Sequence, residues 1–188
     1  MAFARREGHA FLTATDQPMF EAPAYSSNKT ELYAELLKQL DSLTSDEPDP
    51  VANMANAAAL IYEALPDLNW AGFYRMIDGV LVLGPFQGRP ACIRIPVGRG
   101  VCGTAVAEAA TQCVRDVHEF PGHIACDSAS RSELVVPIVV DGRIIGVLDL
   151  DSPVDRRDFM DLVATADVVI ENAGPGAMDA RGLGFDAL

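Results

Sequence analysis

The chain has 188 residues, 49% of them hydrophobic and 22% charged, which excludes wholesale disorder and suits one domain with extensions. Acidic residues outnumber basic ones 27 to 14, and the formal net charge of −13 argues against nucleic acid and anionic membrane as partners. No apolar run approaches the roughly 18 residues of a membrane span, and the first residues lack the apolar stretch of an export signal, so a cytoplasmic protein is expected.

Residues 1–27 show no period and read as an N-terminal extension. Leu32, Leu36, Leu40 and Leu43 recur at helical spacing, which predicts a helix over 28–43. A polar loop follows. Asp49 then serves as N-cap and Pro50 as first residue of an alanine-rich helix that ends before Pro66. Strands are expected at 69–76 and 80–87 around Asp78-Gly79, a hairpin turn signal, and again at 92–97. A short helix over 100–110 and a strand over 112–117 precede a loop at 118–132, long enough to suggest function. Residues 133–140 and 143–151 flank a second Asp-Gly pair. A last helix is expected at 155–172, and 174–188 form a glycine-rich tail. Together these elements predict an α+β fold: a sheet of about six antiparallel strands, helices on one face and the cysteine-bearing region covering the other.

Three constellations could carry chemistry. The four cysteines, at 92, 102, 113 and 126, fall in one stretch. Cys113, His118, His123 and Cys126 offer a zinc reading, although the cysteines do not pair at the usual structural-site spacing. A redox reading needs a thiolate and a second thiol. Cys102, at a helix start, is expected to be the most acidic thiol, while Cys126 sits in the long loop beside His123 and Asp127. Cys113, in mid-strand, reads as a small hydrophobe. Next come Asp149 and Asp151, which share a strand face and are either a solvated strand end or an acid pair that keeps a proton. Glu133 begins the partner strand. A two-residue turn at Asp141-Gly142 would pair residues summing to 283 and put Glu133 on the side opposite the aspartates. If all three share a pocket, a longer turn or a bulge is required, unless Glu133 precedes the regular pairing. Third, Trp70 and Tyr74 share a face with Gly72 between them, which suggests an open aromatic slot for a methyl, thioether or cationic group, or else a core layer.

Five runs carry a family resemblance: Asn-Trp-Ala-Gly-Phe-Tyr at 69–74, Gly-Pro-Phe-Gln-Gly-Arg-Pro-Ala-Cys at 84–92, Gly-Arg-Gly-Val-Cys-Gly-Thr-Ala at 98–105, Asp-Val-His-Glu-Phe-Pro-Gly-His-Ile-Ala-Cys-Asp-Ser-Ala-Ser at 116–130, and Gly-Val-Leu-Asp-Leu-Asp-Ser at 146–152. Together they resemble the free methionine-(R)-sulfoxide reductases, single GAF-domain enzymes. The resemblance implies a GAF catalytic domain over 28–173 and reduction of the R-sulfoxide of free methionine. It implies Cys126 as nucleophile, which overrides the helix-start preference for Cys102, with Cys92 as resolving partner and Cys102 as a third thiol of secondary role. Trp70 and Tyr74 match residues that hold the substrate methyl group. Glu133, Asp149 and Asp151 match carboxylates that bind the sulfoxide and amino groups and assist proton transfer. Cys113 matches no family cysteine. Recycling by thioredoxin and no metal or organic cofactor are expected. The sequence leaves oligomeric state open, a homodimer included. The alternative is a GAF sensor or binding module that holds a small ligand without turnover.

Overall fold

The computed structural model describes residues 25–154 except Ala125. The expected helix at 155–172, the tail and residues 1–24 of the extension lie outside the described residues. Helix α1 spans Lys29–Thr44, capped by Asn28, whose side chain accepts from the Thr30 and Glu31 amides. Helix α2, Pro50–Ala64, is capped by the Asp49 carboxylate on the Val51 and Ala52 amides, with Pro50 at the first position, where a missing N–H costs nothing.

Strands β1 (Trp70–Ile77), β2 (Val80–Gly88), β3 (Arg94–Pro96), β4 (Gln112–Val114), β5 (Ser132–Val140) and β6 (Arg143–Ser152) form one antiparallel sheet in the order β3-β2-β1-β6-β5-β4. Helix α3, Gly100–Glu108, joins β3 to β4. Both Asp-Gly turns have two positive φ angles, Asp78 and Gly79 in one, Asp141 and Gly142 in the other, the twist that tight hairpins need. This chain belongs to the α+β class.

Each face of the sheet has its own apolar cluster. On one, α1 and α2 cover Ala71, Phe73, Leu134, Leu148 and Leu150 through Leu36, Ala58, Leu60 and Ile61. On the other, Trp70, Tyr74, Val135 and Val147 meet Val101, Cys102 and Ala105 of α3 and Leu81 and Ile95 of the β2–β3 edge. The alternation of β1 and β6 sends successive side chains to opposite clusters.

Several expected bounds shift. The strand at 92–97 shrinks to β3, and the strand at 112–117 ends at Val114. Helix α3 stops at Glu108 because Ala109 turns left-handed, φ 51°. The long loop is interrupted by one 3₁₀ turn, Val117–Glu119, started by Asp116, whose carboxylate accepts from the His118 amide.

The β5–β6 hairpin carries the bulge that a shared carboxylate pocket requires. Near the turn, Val140 pairs with Arg143 and Val139 with Ile144, sums of 283, but beyond the shift Ile138 pairs with Gly146 and Glu133 with Asp151, sums of 284. Ile145 is the extra residue and stands exposed. Gly146 is needed there, since a Cβ would run into the Tyr74 carbonyl of β1.

Candidate active site

The bulge sets the site. Across β1, β6 and β5 the register aligns Trp70, Asp151 and Glu133 in one row, and Gly72, Asp149 and Val135 in the next. Three carboxylates and an indole therefore point to the same face. Asp149 lies between a glycine and a valine, neither of which can hydrogen-bond it, and its Oδ1 has no hydrogen-bond partner among the described residues. Above this floor, α3 lays Cys102, whose thiol donates to Glu133 Oε1 at 3.8 Å. The segment after the 3₁₀ turn brings His123, Ile124, Cys126 and Asp127 over the cavity, and Pro90 and Ala91 close another side. Cys92 and Cys126 are joined by a disulfide, with Cα atoms 5.5 Å apart.

Burial and mutual repulsion decide the protonation states. Glu133 is pushed up to about 8, chiefly by desolvation and then by Asp151. Asp151 rises to about 7 by burial with a smaller push from Asp127, against hydrogen bonding from Ser130. Asp149 rises well above the carboxylate range through burial, then Asp151 and Glu133. Near neutral pH the floor therefore holds carboxylic acids able to donate a proton, because several close carboxylates cannot all ionise in a buried site. His123 Nε2 lies 3.9 Å from Glu133 Oε2, and burial, then His118, lowers the imidazole below its usual value.

The aromatic pair is arranged differently from the expected open slot. The Trp70 ring leans over Gly72, so a Cβ there would stand 2.6 Å from the indole. The indole fills the space instead, stacking on Phe86 at 5.3 Å and on Tyr74 at 5.9 Å. Both rings still wall the cavity. Their polar hydrogens reach the strap that carries Cys92: Trp70 Nε1 donates to the Arg89 carbonyl and the Tyr74 hydroxyl to the Cys92 carbonyl, each at 3.0 Å.

Two thiol expectations are corrected. Cys102 is not an acidic thiol. It is 3% exposed, and burial, then Asp149 and Glu133, push its pKa well above the usual thiol value, which outweighs the start of a nine-residue helix. The zinc quartet does not assemble, because Cys113 on β4 packs with the cluster under α1 and α2 while Cys126 belongs to the opposite face and is bonded to Cys92. His118 is exposed and contacts Asp116 at 2.8 Å. Among the described residues, the group able to surround a cation is Cys102, Glu133 and Asp149.

Residue-by-residue reading missed a latch on the loop that carries Cys126. Asn69 Nδ2 donates to Asp127 Oδ2 at 3.2 Å and to Ser130 Oγ at 3.0 Å, and the exposed Arg89 reaches Asp127 Oδ1 at 3.5 Å. Asp127 also accepts from the Ala129 amide, which lowers its pKa. Asn69 and Ser130 are 61 residues apart and meet only through topology, so no local signal marks them. Phe86 reads as an ordinary strand aromatic.

Comparison with known proteins decides the family. Residues 49–169 match the GAF domain. The chain is 60% identical over 141 residues to Protein YtsP of Bacillus subtilis, covering 74% of this chain and 86% of that one. It is 55% identical over 150 residues to the free methionine-R-sulfoxide reductase of Escherichia coli, covering 76% of this chain and 91% of the relative. This chain belongs to the free methionine-R-sulfoxide reductase family. The free methionine-R-sulfoxide reductase of Neisseria meningitidis, solved in complex with its substrate, superposes with a TM-score of 0.71 at 51% identity, over 77% of this chain and 88% of that one. Within this reductase family's GAF fold, the cavity described above lies between the sheet and the cysteine-bearing cover. Among the described residues no helix is long and apolar enough to cross a membrane.

Proposed function

We propose that this protein reduces the R-sulfoxide of free methionine to methionine, with Cys126 as the attacking thiol and Cys92 as its resolving partner. The observation that carries the proposal is the Cys92–Cys126 disulfide at a cavity floored by Glu133, Asp149 and Asp151. In the first step Glu133 or Asp151 gives a proton to the sulfoxide oxygen, which makes the sulfur electrophilic. The Cys126 thiolate takes over the oxygen, methionine leaves, and a sulfenic acid remains on Cys126. Sulfur in the substrate is reduced and sulfur in the enzyme oxidised by the same two electrons. The Cys92 thiol then displaces water from the sulfenic acid and forms the disulfide. An external dithiol returns both thiols.

The residues support each role in kind. Trp70 and Tyr74 offer ring faces to the methyl and thioether carbons. Asp149, with an unpartnered buried oxygen, suits the substrate ammonium. Cys102, buried over the same floor, fits a supporting role in the relay. The same reading takes residues 28–173 as the catalytic domain, thioredoxin as the dithiol donor and the cytoplasm as the place of action.

Incubation with racemic free methionine sulfoxide and dithiothreitol tests the proposal. Consumption of the R epimer alone, with methionine released, is the expected result. Retention of both epimers would leave a binding module.

A further inference from the structure

The cavity floor has a second chemical capacity, independent of sulfoxide chemistry. Cys102, Glu133 and Asp149 present one sulfur and two carboxylate oxygens that all lie within 4.8 Å of one another. Zinc holds thiolate sulfur at about 2.3 Å and carboxylate oxygen at about 2.0–2.2 Å, and in a tetrahedron those bonds place the ligand atoms about 3.3–3.7 Å apart. Cys102 Sγ and Glu133 Oε1 already stand 3.8 Å apart. The remaining closure is of the order of an ångström, within reach of side-chain rotation.

A second observation points to a ligand. Asp149 is 6% exposed, and its Oδ1 is enclosed without a hydrogen-bond partner among the described residues. Leaving such a group unsatisfied is costly. Among the described residues, no lysine or arginine lines the cavity to balance the carboxylates. His123 Nε2, 3.9 Å from Glu133 Oε2, stands at the edge of the same group and offers a fourth donor of the type that zinc accepts.

We propose that Cys102, Glu133 and Asp149 form a binding site for a thiophilic divalent cation of the zinc class, with His123 closing the coordination shell. Binding expels the thiol proton and any proton held by the two carboxyls, and no atom changes oxidation state. The site uses neither disulfide cysteine, so the oxidised protein binds the ion. It is distinct from a Cys113–His118–His123–Cys126 cluster, which the sheet separates. A cation held here ties up the acids of the floor and acts as an inhibitor rather than a cofactor.

The test uses the full-length oxidised protein, disulfide intact, titrated with cadmium as the probe. The expected result is one equivalent bound by equilibrium dialysis, with a thiolate-to-cadmium absorption band in the ultraviolet. Cys102→Ser should lose that band. Asp149→Asn, which keeps side-chain shape, should weaken binding by roughly tenfold or more, the scale seen even for outer-shell partners. Cys113→Ser should bind as wild type does. Absence of binding by the oxidised wild type, or a band that disappears with Cys113 instead of Cys102, would overturn the proposal. Neither readout involves turnover, so the result is independent of the reductase reading.

Discussion

Trp70 and Tyr74 each combine two contacts, a ring face toward the cavity and a polar hydrogen on the strap that carries Cys92. Under the proposed mechanism, substrate contact and disulfide formation are thereby tied to the same side chains. Trp70→Ala removes a side chain that is 2% exposed, so it should cost about 3–5 kcal/mol of stability. In the protein that remains folded, turnover should fall mainly through weaker binding and orientation of the sulfoxide. Unchanged kinetics would return Trp70 to a packing role. Tyr74→Phe keeps the ring and loses one hydrogen bond, about 1 kcal/mol. The first methionine should still be released, while quenched-flow sampling should find the disulfide forming more slowly. Equal rates in both steps would show that the strap needs no such anchor. At this scale the aromatic pair was legible from its four-residue spacing, but the fate of Gly72 was not. Whether a glycine leaves a slot or admits a neighbouring ring depends on Phe86 of β2, which the register places opposite Gly72. Cys102 was misread for a similar reason: a helix start is visible in a sequence, and a roof over three buried carboxyls is not.

The hairpin of β5 and β6 shows what an element adds. Its Asp-Gly turn and its alternation were legible, and so was the conditional need for a bulge. Its position was not, because Ile144 and Ile145 look alike and only the Tyr74 carbonyl beside Gly146 distinguishes the sites. Gly146→Ala should force β6 away from β1 at a cost of about 1–3 kcal/mol. Deleting Ile145 removes the extra residue itself, so Val139 with Ile144 is followed directly by Ile138 with Gly146, and Glu133 still meets Asp151. The three carboxylates keep their shared face. The expected outcome is a folded domain by circular dichroism that still reduces the sulfoxide. Loss of activity in the folded variant would show that the local bend of the bulge is needed as well as the register. The N-cap of α2 was readable because Asp49 acts within three residues. The latch of Asn69, Asp127 and Ser130 was not, since its partners lie 58 and 61 residues apart in the chain.

The whole molecule carries an excess of acidic groups, and its buried ones set the pH behaviour. Unfolded carboxyls titrate near 4, whereas Glu133 sits at about 8 and Asp151 at about 7 in the fold. Between those limits the folded protein holds protons that the unfolded chain has released, so stability falls as pH rises and levels off above about pH 8. Asp116 and Asp127, whose values are lowered, lose their contribution only below the ordinary carboxylate range. Thermal melts should therefore give a higher Tm at pH 5 than at pH 8. Glu133→Gln should flatten that slope, whereas relief of surface repulsion alone would leave it unchanged. Sulfoxide reduction should decline over the same upper part of the range as the acids ionise. In the proposed reaction Cys126 receives the oxygen of the sulfoxide, and single-turnover release of methionine without added reductant tests this most directly. Reduced wild type and Cys92→Ser should each release one equivalent, the latter leaving a sulfenic acid on Cys126. Cys126→Ser should release none. One equivalent of methionine from Cys126→Ser would contradict the account.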